Sequence, residues 1–283
     1  MSFAGRGAAR ASPGEKTGQV KPLLLLLLLV PVPSVAASLS GLEIMNRNEA
    51  TRKYPEIVAE ARLVLGEAGV SKSERKFTWW RKEAPGLNRF NSLARFSAPA
   101  EIRGEGVLFL EGQGTEKQVF LYLPAYKKTR RVENDSQGED FMGSTFSYYD
   151  MTSSHPDEYE HTLKKTDPCP QSKGGKCFVV ESIPKTPAVV ENTGYARVKH
   201  WIQTDSFVEV SAEYYGKDGI LKKKLMASDS RPLDDHRKLW LSYRVQMDDL
   251  IGKRFSVFQI ENAKIDSGIP DYVFSRQNLA SER

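Results

Sequence analysis

Cysteine and histidine are scarce in this chain, and their scarcity narrows the chemistry that it can perform. The 283 residues include two cysteines and four histidines. The sequence holds no CxxC, HExxH, GxSxG or P-loop motif, so the spacings that build zinc sites, serine-hydrolase elbows and nucleotide cradles are missing. We therefore predict a protein without a catalytic residue, a metal site or a cofactor.

The four histidines, His155, His161, His200 and His236, are scattered along the chain. His155 and His161 flank several acidic residues, an arrangement that could bind a metal ion. Because no tetrahedral ligand spacing appears, we interpret this stretch as a solvated loop.

A concentrated excess of one charge is also lacking. The formal net charge is +5 at pH 7, but residues 1–37 hold four of the basic residues and one of the acidic residues. The remainder of the chain is close to neutral, whereas nucleic-acid binding needs a concentrated basic face. The composition therefore predicts no nucleic-acid partner.

Long apolar runs are nearly absent as well, with one exception near the N-terminus. A basic stretch precedes the unbroken apolar run Leu23–Val30, and small residues follow up to Ala37. This is the pattern of a Sec-type signal peptide, residues 1–37, cleaved after Ala37. A membrane anchor is the alternative, but the run is far shorter than the roughly 20 residues that span a bilayer. We predict export to the periplasm without lipid attachment, because Ser38 follows the cut instead of a cysteine.

The two cysteines, Cys169 and Cys177, are typical of a structural disulfide in an exported protein. The bridge would close a short loop that contains Gly174 and Gly175, and would stabilise the fold by roughly 2–3 kcal/mol on the entropy model. A redox or metal-binding pair is the alternative, but the spacing is not CxxC and no second pair exists.

Residues 38–283 are predicted to form a single, mainly β (α+β) domain. Glu43 to Gly66 is predicted as the one long helix, since apolar residues such as Ile57 and Ala61 approximate a 3.6-residue period. From Ser73 onward the period changes to two, and turn clusters separate runs of β-branched and aromatic residues. This spacing is typical of an up-and-down antiparallel sheet or barrel.

Alternation is clearest in three predicted strands, within residues 117–123, 207–215 and 237–247. Such alternation is expected of an antiparallel sheet that is covered on one side. Residues 107–110 are apolar on both faces, so we expect that strand to be covered twice or to lie near a lid. One long helix cannot cover a sheet of about ten strands, so we expect the sheet to curl or to keep an apolar cavity.

Four segments, taken in order, resemble a known family. Residues 94–108 are ARFSAPAEIRGEGVL, residues 121–131 are LYLPAYKKTRR, residues 141–150 are FMGSTFSYYD and residues 269–279 are IPDYVFSRQNL. They resemble segments of the LolA-like outer-membrane lipoprotein-sorting proteins, although Thr145 stands where that family more usually has aspartate. The resemblance runs in register from about Phe77 to Leu279, and covers nearly all of the predicted mature chain.

The resemblance implies an incomplete antiparallel β-barrel with helices that cover its concave face. It also implies a periplasmic protein of Gram-negative bacteria that works with an inner-membrane exporter of RND/MMPL or ABC type and with an outer-membrane acceptor. In the family one arginine hydrogen-bonds the lid helices shut, and Arg103 and Arg131 are the candidates for that residue here.

Aromatic and apolar residues of the predicted sheet are the candidates for lining a lipid cavity, since aromatic side chains bury large apolar areas at low entropic cost. Ordinary core packing is the alternative for any one of them. The candidate cavity residues are Trp79, Trp80, Leu108, Leu110, Phe120, Tyr122, Phe146, Tyr148, Trp201 and Trp240.

The densest basic cluster is the candidate for contacting an anionic headgroup or an acidic partner. The alternative is a solvated strand edge, which lysines protect from unwanted pairing. Together with the lid candidates, these residues are Arg103, Lys127, Lys128, Arg130 and Arg131.

These features together predict a monomeric periplasmic carrier that binds the acyl chains of lipoproteins or lipids for sorting to the outer membrane. A non-enzymatic accessory subunit that docks on an inner-membrane exporter or senses envelope stress is the alternative. A hydrolase on the same scaffold is the weakest hypothesis, because no nucleophile motif occurs.

Overall fold

The computed structural model describes Gly14 and residues 39–84, 86, 89–112, 117–153, 155–170 and 175–281. The chain divides into two units, Met1–Ser38 and Leu39–Arg283. The predicted signal peptide and its cleavage site after Ala37 lie outside the described residues, apart from Gly14. Within the described part of the chain, no helix is long and apolar enough to cross a membrane.

The unit Leu39–Arg283 is dominated by strands, which form where side chains alternate between tight turns. The strands of the described residues are β1 Glu56–Glu67, β2 Val70–Ala84, β3 Arg89–Ala98, β4 Gly106–Glu111, β5 Lys117–Leu123, β6 Lys128–Val132, β7 Tyr159–Pro168, β8 Lys176–Pro184, β9 Arg197–Gln203, β10 Glu209–Tyr215, β11 Leu221–Asp234, β12 Leu239–Asp249 and β13 Arg254–Ile265. The helices are α1 Gly41–Ala50, α2 Pro187–Thr193 and α3 Arg276–Leu279, and several single 3₁₀ turns lie between strands.

All these strands belong to one antiparallel sheet with the order β6-β5-β4-β3-β2-β1-β13-β12-β11-β10-β9-β8-β7. Each half is a meander of sequence neighbours, and β1 pairs with β13 to join the halves. The edges of the described sheet are β6 and β7. A wide antiparallel sheet that does not close confirms the predicted mainly β architecture, an incomplete barrel.

The predicted long helix Glu43–Gly66 is wrong beyond its first turns. A capping box between Ser40 and Glu43 starts α1, which ends before Pro55. The stretch that follows forms β1, in which alternate residues from Ile57 to Leu63 are buried. Its apolar residues fit both periods, and pairing with β2 and β13 on both sides favours the strand.

The three strands predicted from alternation are present as β5, β10 and β12. On β12, Leu241 and Met247 are buried on the face that carries the main apolar core. The double cover of β4 is also confirmed, because Val107 and Phe109 belong to that core whereas Leu108 packs on the opposite face.

The inner face is covered largely by the connection between the two edge strands, residues 133–158, which we call the crossing segment. Phe141 and Phe146 of this segment pack into the main core. The Thr145 hydroxyl donates to the carbonyl of Met247 on β12 at 2.6 Å. The predicted helical cover of the concave face therefore consists of α1 and a segment of single 3₁₀ turns.

The C-terminal segment, residues 269–281, covers the opposite face, which we call the outer face. Phe274 and Leu279 belong to a second apolar cluster there. Arg95 on β3 fixes the segment by donating to the carbonyls of Asn278 and Leu279, each at 2.9 Å. The IPD-containing motif at this end thus serves the packing of the outer face.

The predicted disulfide is present. Cys169 and Cys177 are bonded, with 5.0 Å between their Cα atoms, and both are buried. The bridge joins the end of β7 to the start of β8, beside a turn that lies mostly outside the described residues.

Replacing Cys169 and Cys177 with serine should lower the free energy of unfolding by about 2–3 kcal/mol, because the open loop gains conformational entropy in the unfolded chain. Urea denaturation of parent and variant measures the difference. Reduction of the parent protein should give the same loss, and a variant as stable as the parent would contradict the prediction.

Candidate functional site

A cavity of about 340 Å³ lies on the inner face, between the sheet, α1 and the crossing segment. Its walls come from β2, from β7 to β13, from the end of α1, and from residues 146–153 and Pro156. α1 is held over this space because Ile44 and Met45 pack on β8 and β9. The cavity therefore has two partial covers that are not strands, α1 and the crossing segment.

One wall of the cavity is apolar. Residues two apart on a strand point to the same face, so alternation supplies most of the wall, and Trp240 joins it from the start of β12. The apolar lining residues of the sheet are Trp79, Leu225, Ala227, Trp240, Leu241, Val245, Met247, Phe258 and Ile260, and those of the covers are Met45, Phe146 and Met151.

The other end of the cavity is polar and mixes cations, carboxylates and hydroxyl groups. Its lining residues include Arg52, Arg81, Tyr149, Asp150, Ser153, Tyr159, His161, Tyr195, His200, Glu209 and Tyr214.

Arg81, at the polar end, contacts the sheet, the residues after α1 and the crossing segment. It lies on β2, two residues after Trp79, and its guanidinium carbon lies 3.6 Å from the centre of the Phe90 ring. It donates to the carbonyl of Arg52, just after α1, at 3.2 Å, and to the hydroxyl of Ser153 in the crossing segment at 3.1 Å. Burial lowers the pKa of Arg81. One buried cation therefore ties both covers to the sheet through neutral oxygen atoms.

His200 and Glu209 form a close pair at the same end, with 2.5 Å between Nδ1 and Oε1. Burial by itself disfavours the charged carboxyl, but the contact with His200 outweighs it and lowers the pKa of Glu209. The carboxylate is therefore ionised at neutral pH and satisfied within the protein.

Four tyrosines supply neutral hydroxyl groups. Burial raises the pKa of Tyr149, Tyr159, Tyr195 and Tyr214, so each hydroxyl keeps its proton at physiological pH. The Tyr195 hydroxyl donates to Asp150 at 3.2 Å. The Tyr149 hydroxyl likewise donates to Glu158 at 2.7 Å. Because a phenol carries one proton, the oxygens of these two tyrosines can only accept a hydrogen bond from a ligand.

A serine–histidine contact lines the cavity as well, and its geometry bears on catalysis. Ser182 Oγ lies 2.7 Å from His161 Nδ1, while His161 Nε2 lies 2.9 Å from the Pro156 carbonyl. The carbonyl accepts only from a protonated Nε2, so Nδ1 accepts from the serine. Burial lowers the pKa of His161 to about 4, which makes it a weak general base at neutral pH. The pair links β7 to β8.

The structure brings three of the ten predicted cavity residues to the cavity wall, namely Trp79, Phe146 and Trp240. Tyr148 lies in the main core, where its ring meets Phe141 edge to face. Trp201 is offset by one residue from a cavity-lining position on β9, and the Lys199 ammonium lies 4.7 Å from its ring centre.

The other five predicted cavity residues pack on the outer face, around the C-terminal segment. They are Trp80, Leu108, Leu110, Phe120 and Tyr122. Adjacent residues on a strand point to opposite faces, so each is one position away from an inward-facing residue. Both faces of these strands are covered, and alternation alone therefore does not identify the inner one.

The predicted lid and headgroup residues lie away from the cavity. They are Arg103, after β3, and Lys127, Lys128, Arg130 and Arg131, on or beside the edge strand β6, and all five are exposed. Arg81, which the sequence reasoning missed, contacts the covers instead. The sequence does contain one signal for Arg81. It is two residues after Trp79 and four after Phe77 on the same strand, so it lies on the same inward-facing side.

The histidine-containing stretch is not the solvated loop that we predicted. His155 is buried and its Nε2 lies 3.0 Å from Glu111 Oε2, while His161 lines the cavity. Among the residues that the structure describes, no group of three or more His, Cys, Asp or Glu side chains is arranged to hold a metal ion.

A family model described as an uncharacterized protein matches residues 89–281, more than half of the chain. Comparison with curated proteins finds no match. A solved outer membrane lipoprotein-sorting protein domain from Vibrio parahaemolyticus is 24% identical, with a TM-score of 0.77 over 85% of this chain and 98% of that chain. A DUF1329 family protein from Desulfovibrio piger is 25% identical, with a TM-score of 0.76 over 84% of this chain and 97% of that chain.

A LolA superfamily protein from Nitrosomonas europaea is 17% identical, with a TM-score of 0.66 over 85% of this chain and 100% of that chain. The three solved structures therefore share the fold over almost their whole length. The four segments that carry the resemblance form the β3–β4 and β5–β6 hairpins, part of the crossing segment and the C-terminal segment of this fold. By its family model, the chain belongs to the family described as an uncharacterized protein, and it shares its fold with the lipoprotein-sorting protein domain and the LolA superfamily protein.

Proposed function

We propose that this protein is a periplasmic, non-enzymatic carrier that holds an acyl chain of a lipoprotein or lipid in the cavity. The observation that supports the proposal best is the apolar wall on the inner face, partly covered by α1 and the crossing segment. Its volume of about 340 Å³ is near the lower limit of the roughly 300–1,000 Å³ typical of ligand sites. This form therefore has room for one slender ligand, and a larger cargo needs the covers to move.

The two ends of the cavity suit an amphipathic ligand. The hydrocarbon lies along Met247 and Phe258 in this proposal, where each buried methylene contributes about 0.8 kcal/mol. The head group lies near Arg52 and Arg81, whose guanidinium groups can donate to carboxylate, ester or phosphate oxygens.

A location in the periplasm would place the protein between the inner and the outer membrane, and this suggests the route of the cargo. The export signal predicted at residues 1–37 supports a periplasmic location. In this proposal the protein acts as a monomer, receives cargo from an inner-membrane exporter of RND/MMPL or ABC type and passes it to an outer-membrane acceptor. An accessory subunit that only docks on the exporter would not need the apolar wall, so bound lipid distinguishes the two functions.

Filling the cavity should weaken lipid binding. Ala227 lies on β11 opposite Val245, and both line the apolar wall. Ala227→Trp should weaken the uptake of a fluorescent fatty acid by about tenfold or more, because overpacking costs roughly 1–3 kcal/mol. The matched control is Ser228→Trp, which adds the same ring at the next, exposed position of the strand.

Native mass spectrometry of protein purified from the periplasm provides the second readout. We expect bound lipid on the parent and on Ser228→Trp, and little on Ala227→Trp. A parent protein that is lipid-free and takes up no fatty acid would refute the carrier proposal and favour the docking subunit.

A further inference from the structure

Three hairpin turns at one end of the sheet carry exposed aliphatic side chains. Val70 follows the β1–β2 turn, Ile220 lies in the β10–β11 turn, and Leu250 and Ile251 lie in the β12–β13 turn, with exposed fractions of 61%, 52%, 44% and 60%. Elsewhere in the described chain, the large apolar residues that are exposed are Leu42, Tyr126, Ile183 and Tyr272. We call the three turns, residues 67–70, 216–220 and 250–253, the tip rim.

The strand order brings these turns side by side. The strands β2-β1-β13-β12-β11-β10 are consecutive in the sheet, so a turn follows about every 10 Å along the rim. Backbone hydrogen bonds join the turns, from the Ala68 amide to the Lys253 carbonyl at 3.1 Å and from the Leu250 amide to the Lys222 carbonyl at 2.9 Å. The tip rim is therefore a connected row and not a set of independent loops.

Lysines flank the aliphatic tips. Lys72, Lys217 and Lys253 are exposed beside the three turns, and Lys72 lies 3.8 Å from Glu67 of the tip rim. Asp218 pairs with Lys222 at 2.5 Å, which leaves Lys217 of the same turn without an ion-pair partner among the described residues. The β5–β6 turn also lies at this end of the sheet. The predicted basic cluster, Lys127, Lys128, Arg130 and Arg131, lies in or directly after that turn.

At the opposite end of the sheet, the described β11–β12 turn carries polar instead of aliphatic side chains. The β11–β12 turn consists of Asp235, His236, Arg237 and Lys238, all exposed and polar. Aliphatic tips are thus a property of one end of the sheet rather than of its hairpins in general.

We propose that the tip rim docks the protein on the surface of an anionic lipid bilayer. Single aliphatic residues about 10 Å apart do not form the contiguous apolar core that a protein interface needs. Each can enter the lipid interface separately, while the neighbouring ammonium groups stay among anionic headgroups. The inference rests on the proposed function for the reason that docking is useful, because a lipid carrier must contact a membrane to take up or release its cargo. Docking itself needs no cargo and is measured without it.

The experiment is sedimentation of the delipidated full chain with vesicles of phosphatidylethanolamine and phosphatidylglycerol, and with vesicles of phosphatidylcholine alone. Ile251→Asp and Ile220→Asp should each weaken binding to the anionic vesicles by about tenfold, because each removes one inserted aliphatic side chain. Ile251→Trp should tighten it, since tryptophan favours the membrane interface. His236→Asp, on the opposite turn, adds the same charge and should leave binding unchanged.

Fatty-acid uptake by each variant shows that it is folded and separates this proposal from the carrier proposal. Normal uptake with lost vesicle binding in the tip variants supports docking through the rim. A parent that does not sediment with anionic vesicles overturns it, whether or not the protein takes up fatty acid. Binding that persists in both Asp variants and disappears with salt also overturns it, since the basic residues would then act without insertion. Tip variants that lose a protein partner while no form binds vesicles would assign the rim to that partner.

Discussion

Replacing Arg81 with methionine should speed the release of a bound fatty acid by about 30-fold, because hydrogen bonds from charged groups contribute roughly 1.5–3 kcal/mol each. Arg81 makes two such bonds, one to the Arg52 carbonyl after α1 and one to Ser153 in the crossing segment. In the proposed carrier, movement of the two covers breaks these contacts. Burial lowers the pKa of Arg81 and is therefore unfavourable for its charge, so part of the gain from the two bonds is offset and about 2 kcal/mol, equivalent to about 30-fold, remains.

The measurement is displacement of a fluorescent fatty acid in a stopped-flow instrument. The matched control is Arg95→Met, because Arg95 also donates to two carbonyls of one cover, but on the outer face. Arg95→Met should lower the stability of the fold and leave the release rate unchanged. Hydrogen exchange of residues 41–54 gives a ligand-free readout, in which only Arg81→Met should loosen α1. Equal release rates for parent and Arg81→Met would contradict a closing role for this residue.

Much of the fold is predictable because it is encoded in local alternation. In β5, β10 and β12, apolar and polar residues alternate over several positions. Such alternation predicts a strand wherever that strand lies in the sheet. The motif containing Thr145 was recognisable too, but its role needs the fold. The Thr145 hydroxyl donates to the Met247 carbonyl, a bond that the ionised aspartate more usual in the family has no proton to make.

The candidate site was predicted less well, for a reason that the sheet itself explains. Trp79 lines the cavity and Trp80 packs on the outer face, although both are aromatic and adjacent. A shift of one residue reverses the face, and here the outer face is apolar as well, since the C-terminal segment covers it. The local alternation predicts that a strand forms. Which face of the strand lines the cavity depends on the crossing segment and the C-terminal segment, which are distant in sequence.

The same dependence on distant contacts explains the error after Pro55. The stretch from Ile57 fits a helical and an alternating pattern, and the choice is made by β2 and β13 on either side. Arg81 was missed because a lone cation within a strand usually reaches solvent. Only the turn after α1 and the crossing segment, brought together by the fold, give it its acceptors.

A second large effect concerns a buried charged cluster at the end of β4. Glu111 contacts His155 at 3.0 Å and accepts from the Ser153 amide at 2.8 Å, and the buried Lys117 lies nearby on the paired strand. Burial by itself raises the pKa of Glu111, but His155, Lys117 and the Ser153 amide outweigh it and lower the pKa to about 2. The cluster therefore favours the ionised carboxylate strongly in the folded state.

This lowered pKa fixes the sign of a pH dependence. The ordinary value is 4.5, so between about pH 2 and 4.5 the unfolded chain binds the proton more tightly than the folded protein does. The stability that Glu111 contributes is present in full above about pH 4.5, and is lost as the pH falls towards 2. A difference of this size corresponds to about 3 kcal/mol.

Glu111→Gln should therefore lower the free energy of unfolding by about 3 kcal/mol at pH 7, with the gap to the parent narrowing below pH 4.5 and nearly closing at pH 2. Urea denaturation across this range measures the gap. Glu181→Gln is the control, because Glu181 pairs with Lys164 and Arg197 nearer the surface, where such pairs contribute about 1 kcal/mol or less. The pKa of His161, lowered to about 4 by burial, makes both proteins less stable in acid and cancels in the comparison. A gap that stays constant from pH 7 to 2 would mean that Glu111 acts through shape and packing instead of charge.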